Sequence, residues 1–114
     1  MAKDDREYLE KALGEIAIVE EYSQGFSEYV LQNDRIRVDA IVLHLIQVAE
    51  HVDRLSDVFK SFHPEIEWTS IRGFRNRLVH SYGEVDLHFV LTAITKDIPA
   101  LKDVFLKCIN QGND

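Results

Sequence analysis

Between Tyr8 and Phe26 apolar residues return every three or four positions: Tyr8, Leu9, Ala12, Leu13, Ile16, Val19 and Phe26. That is the period of one helix face, and it predicts a first helix over about 5–25. The pair Asp4 and Asp5 suits the positive N-terminal end, and Gly25 suits the stop. A polar join, "LQNDRIR", follows, in which Asn33 or Asp34 can cap a second helix over about 35–60. The middle of that helix is apolar nearly all round: Ile41, Val42, Leu43, Leu45, Ile46, Val48 and Ala49. Such a helix is buried on several sides, and in so short a chain a second copy is a candidate to cover part of it.

"SFHPEIEW", with Pro64, reads as a connection. A third helix is expected from Trp68 to His80 or Tyr82, stopped by Gly83. Asp86 caps a last helix through Leu87, Val90, Leu91 and Ile94. Pro99 predicts a kink or break over 95–98, after which Leu101, Val104, Phe105 and Ile109 resume the pattern. The whole predicts an all-α, up-and-down bundle of four to five helices in a single domain over 1–114, without internal repeats.

Composition narrows the class. At 46% hydrophobic and 29% charged residues the chain is a folded globule. A net charge of -7 argues against non-specific binding to nucleic acid or to an anionic membrane, though not against a small local basic site. The longest nearly apolar run, "AIVLHLIQVA", is broken by His44 and Gln47 and is too short to span a membrane. A single cysteine, Cys108, and a charged N-terminus without an apolar signal region fit a cytoplasmic protein.

Against that acidic background, "RNRLVHSY" stands out. Arg72, Arg75 and Arg77, three of thirteen basic residues, fall in one short segment with Asn76, His80 and Tyr82. On a helical wheel of about 100° per residue, Trp68, Ile71, Leu78, Val79 and Tyr82 lie within about 60° of Arg75. Arg75 therefore sits in an apolar arc expected to face the core or a partner. An arginine there must be paired or line a polar cavity, because an unpaired buried charge is very costly. Glu50 or Asp53 of the long helix could supply the partner. His80 lies about 140° round from Arg75, so the two do not stack on one helix face. Arg72, Asn76 and His80 do share a stripe at spacings of four. The residues alone leave two readings open: a surface stripe with a structural arginine, or an anion site built from arginines, an amide and a histidine.

"RNRLVHSY" also matches R-x-x-x-x-H-x-Y and resembles the signature of HepT-like toxins of the HEPN superfamily. The likeness extends through "FHPEIEWTSIRGFRNRLVHSYGEVDLHFV" and "KDIPALKD", and Glu50 in "LIQVAEHVDRLS" resembles a glutamate of that family. The resemblance implies a homodimeric bundle whose two motifs meet in one cleft. It implies a metal-independent endoribonuclease with Arg75 and His80 catalytic and Arg72, Asn76 and Arg77 supporting or binding RNA. It also implies a type VII toxin–antitoxin pair, in which a minimal nucleotidyltransferase (MntA-like) uses ATP to adenylylate Tyr82 and so neutralise the toxin.

The residue types suit metal-free RNA cleavage, which needs a base for the 2′-hydroxyl, an acid for the leaving 5′-oxygen and positive charge for the phosphorane. Histidine is the side chain that titrates near neutrality, and arginine is a permanent cation. One histidine per chain supplies one acid or base, and two copies would supply both. Neither a metal nor a cofactor is expected, since His44 and His51 carry no accompanying ligand pattern. The alternative is a non-catalytic subunit of a nucleotidyltransferase complex that binds nucleotide or the partner through the same stripe.

Overall fold

In the computed structural model, which describes residues 1–81 and 84–111, the predicted periodicity becomes a helical bundle. Helix α1 (Lys3–Tyr22) lays Leu9, Ala12, Ile16 and Val19 against Val38, Ile41, Leu45, Val48 and Val52 of α3 (Arg35–Asp53). Both sets alternate spacings of three and four, which keeps one stripe of each helix in the interface. All four α1 residues are fully buried. Between these helices, Gly25 turns the chain at φ 66°, a backbone angle that favours glycine. A short α2 (Glu28–Gln32), capped by the Ser27 hydroxyl, precedes the expected polar join and overlaps its first two residues. Asp34 is the cap of α3, accepting from the Arg37 amide.

The second predicted helix does not run unbroken over 35–60. It ends at Asp53, and a separate α4 (Asp57–Ser61) follows. The reason lies at the other end of the chain. Asp5, only 5% exposed, accepts from the Ser56 amide at 2.8 Å and the Ser56 hydroxyl at 2.7 Å. The same hydroxyl accepts from the Phe59 amide and so caps α4. A buried carboxylate thus turns the chain and starts a new helix. Replacing it leaves two partly buried donors short of an acceptor, so Asp5→Ala is expected to destabilise the fold by about 2 kcal/mol. Urea unfolding followed by circular dichroism measures this; an unchanged midpoint would show that the contact is dispensable.

Helix α5 (Trp68–Val79) returns across α3. Its start is pinned by the Trp68 indole, which donates to the Lys60 and His63 carbonyls at 3.1 Å each. Asp86 caps α6 (Leu87–Thr92) as expected, by accepting from the Phe89 amide. The irregularity attributed to Pro99 takes the form of a π-helical turn, Ala93–Asp97, leading into α7 (Ile98–Gln111). Proline has no amide to continue the ladder, and the wider turn absorbs the loss. Val90, Ala93, Ile98 and Phe105 from this last arm close the core with Leu78 of α5. Among the described residues no strand occurs, and no helix is long and apolar enough to cross a membrane.

Candidate functional site

Leu78 is buried, and Ile71 and Phe74 pack against the core from the same helix. This anchoring turns the neighbouring positions of α5 toward α3. Arg72 meets Asp53, with Nε and Nη2 donating to Oδ1 at 3.2 and 2.7 Å. One turn further, Nε of Arg75 lies 3.7 Å from Oε1 of Glu50. Three residues forward on α5 correspond to three residues back on α3, so the helices are antiparallel. The Arg72 hydrogen bond holds the Asp53 carboxyl below its ordinary value, aided by the nearby charges of Lys60 and Arg75 and opposed by partial burial. Asp53 is therefore ionised at neutral pH. What this exposed pair adds to stability is lost only as the pH falls through that depressed value.

Arg75 is not sealed in the core. Its side chain is 41% exposed, and its Nη1 donates to Oδ1 of Asn76 at 2.8 Å. The arc that the wheel centres on Arg75 straddles two environments: Leu78 on one side is buried, whereas Val79 on the other is 42% exposed. Arg72, Arg75 and Asn76 line a polar cleft of about 300 Å³ with Ala49, Glu50, Asp53 and Arg54 of the facing helix and its end.

His80 is the C-cap of α5, and its amide donates to the Asn76 carbonyl at 3.1 Å. It lines a different cleft, of about 440 Å³, with Arg77, Leu78, Ser81, Glu84, Val85, Asp86 and Phe89. Arg77 is engaged there: Nη2 donates to Oδ2 of Asp86 at 2.9 Å, and the guanidinium lies 3.9 Å over the Phe89 ring. One protomer thus holds Arg75 and His80 on one helix but in two clefts, in keeping with their separation on the wheel. Tyr82, the expected modification site, and Gly83, the expected helix stop, lie outside the described residues.

The sequence pointed to Glu50 or Asp53 as partner of Arg75. The structure sets Glu50 near Arg75 and gives Asp53 to Arg72. Local spacing does not mark Arg54 or the Asp86–Phe89 seat of Arg77, because the folding of the chain brings them to these positions.

Two further histidines, His44 and His63, serve other contacts. His44 Nδ1 lies 2.5 Å from Oε2 of Glu15 on the α1–α3 face. His63 Nε2 lies 3.5 Å from the Cys108 thiol, and burial, with a contribution from Glu65, pushes that thiol's pKa up. A thiol held in its protonated form is a poor nucleophile.

An all-helical bundle with an arginine–carboxylate cleft and a histidine at the end of the same helix defines the class. Over residues 12–108 the sequence matches the Ribonuclease HepT-like family, and the chain belongs to that family. It is 29% identical over 107 residues to a protein named as a probable ribonuclease HepT in Thermococcus cleftensis, covering 94% of this chain and 97% of the relative. It is 32% identical over 100 residues to a candidate RNase of Caldanaerobacter subterraneus subsp. tengcongensis, covering 88% and 89%. It also matches a gamma-glutamylcyclotransferase and candidate RNase of Methanocaldococcus jannaschii, at 29% over 111 residues, spanning 97% of this chain but half of that protein. No solved structure matches with comparable significance.

Proposed function

We propose that the chain is a metal-independent endoribonuclease acting as the toxin of a toxin–antitoxin pair, with its active cleft built by two copies. The observation that carries this reading is the division of Arg75 and His80 between two clefts of one protomer, beside an exposed apolar strip. The antiparallel register carries Val79 to the level of Ile46 on α3, one turn from Leu43, and Val79 and Leu43 are 42% and 51% exposed. A copy related by a two-fold axis would cover that strip and bring the histidine of each chain toward the arginine of the other.

In such a cleft one His80 removes the proton of the RNA 2′-hydroxyl as its oxygen attacks phosphorus. The partner's His80 gives a proton to the departing 5′-oxygen. The Arg75 guanidinium takes up the charge that develops on the phosphorane oxygens, and Asn76 holds that guanidinium through its side-chain oxygen. The products are a 2′,3′-cyclic phosphate and a 5′-hydroxyl. A cognate nucleotidyltransferase that transfers AMP from ATP to the Tyr82 hydroxyl, with release of pyrophosphate, would add bulk and negative charge two residues beyond His80 in the sequence.

Purified protein in excess EDTA is expected to cleave RNA and leave cyclic phosphate ends, read by mass spectrometry of the fragments. Cleavage that requires added divalent cation, or leaves 3′-hydroxyl ends, overturns the mechanism. The second reading, a nucleotide-binding subunit without catalysis, draws on the ion pairs: Arg72, Arg75 and Arg77 each lie beside a carboxylate in a chain of net charge -7. Nucleotide binding without RNA cleavage would favour it.

A further inference from the structure

The arginines of the motif segment are each set beside a carboxylate: Arg72 on Asp53, Arg75 near Glu50 and Arg77 on Asp86. Such a carboxylate repels the phosphate that its guanidinium attracts, and the chain as a whole carries a net charge of -7. A grip on a nucleic-acid strand therefore asks for a cation that no carboxylate has claimed.

The cleft containing Arg75 supplies one from outside the motif. Arg54 lines it from the end of α3, together with Arg72, Arg75 and Asn76 of α5. Three guanidiniums against two carboxylates, Glu50 and Asp53, leave one net positive charge on the lining. The pairing shows where that charge resides. Asp53 is taken by Arg72, Glu50 stands near Arg75, and among the described residues the Arg54 side chain makes neither an ion pair nor a hydrogen bond. Lys60 lies nearby, but its ammonium is held on the Asp53 carbonyl at 3.1 Å and does not line the cleft.

The placement of Arg54 fits a ligand with repeated charge. It is the C-cap of α3, and the helix end uses its amide, which donates to the His51 and Val52 carbonyls. The residue itself is exposed. Four residues of helix advance about 6 Å, so Arg54 stands about that far along α3 from Glu50, which marks the level of Arg75. That distance is on the order of the spacing between neighbouring phosphates of an extended strand.

We propose that Arg54 binds RNA: Arg75 meets the phosphate being cut, and Arg54 holds the next phosphate of the same strand. The cleft is then a track for two phosphates rather than a site for one anion. The inference rests on the ribonuclease reading for the identity of the strand, and it adds a binding residue that lies outside the motif.

The test uses His80→Ala protein, which should not turn over, and a short fluorescent single-stranded oligoribonucleotide, with binding followed by anisotropy over a series of salt concentrations. Adding Arg54→Ala is expected to weaken binding at least about tenfold, the scale of one hydrogen bond between charged groups. It should also make the log–log salt slope shallower by about 0.7, the value for one phosphate contact on a single strand. Arg54→Lys should keep the slope. With His80 intact, Arg54→Ala is expected to raise KM for RNA about as much as it weakens binding and to change kcat much less, because the contact is made before and during the reaction alike. Arg54→Gln, which keeps a stem without the charge, gives the same comparison if Arg54→Ala does not fold. Equal binding and equal slope with and without the arginine overturn the proposal and leave Arg54 as a charge that favours the end of its helix. Arg54-dependent RNA binding in a protein that cleaves no RNA keeps this inference and sinks the nuclease reading. Wild-type cleavage of RNA that binds independently of Arg54 does the reverse.

Discussion

His80→Ala is expected to lower kcat/KM for RNA by at least about a thousandfold, because a positioned acid or base contributes roughly a hundred- to ten-thousandfold and both roles fall to this side chain in the two-copy cleft. The fold should survive. His80 is exposed at the end of α5, and its hydrogen bond to the Asn76 carbonyl is made by the backbone, which alanine keeps. Circular dichroism should be unchanged, and cells expressing the variant alone should grow where the wild type arrests them. Near-normal cleavage by a correctly folded His80→Ala protein would remove His80 from the mechanism and leave the nucleotide-binding reading in front.

Val79→Asp is expected to separate the two copies and remove activity without disturbing the protomer. At 42% exposure, Val79 can carry a charge into water in the free chain at little cost. At a dry interface the same carboxylate is desolvated. A penalty of about 3 kcal/mol weakens association more than a hundredfold. Sedimentation should show a dimer for the wild type and a monomer for the variant, with matching helical spectra and RNA cleavage reduced at least in proportion. A monomeric wild type, or a monomeric variant that still cleaves, would contradict a shared cleft.

These two results depend on features of unequal visibility in the sequence. The core stripes of α1 and α3 were legible because helical spacing is local: Leu9, Ala12, Ile16 and Val19 need only their own segment to declare a face. The cap Asp86, and Asp34 as one of two candidates with Asn33, were legible for the same reason. The break after Asp53 was not. Arg35 to Lys60 reads as one helix, and a carboxylate 51 residues away in sequence, Asp5, organises its interruption at Ser56. The short helices α2 and α4 are each five residues, too few to show a period.

At the site, the wheel marked Arg75 as misplaced among apolar neighbours and separated it from His80. It could not say that Leu78 and Val79, on opposite flanks of that arc, meet core and solvent respectively.

The amino-acid sequence by itself determined the helical class, the family and the residue types available for chemistry, because composition, spacing and motif all lie along the chain. Only the tertiary structure decided that Asp53 belongs to Arg72, that Glu50 stands near Arg75, that Arg77 is seated on Asp86 and Phe89, and that Arg75 and His80 open into separate clefts. The geometry of each helix follows from its own backbone, at about 100° per residue. The register between α3 and α5 follows from how Ile71, Phe74 and Leu78 pack against side chains drawn from distant parts of the chain, and that packing settles which charge meets which.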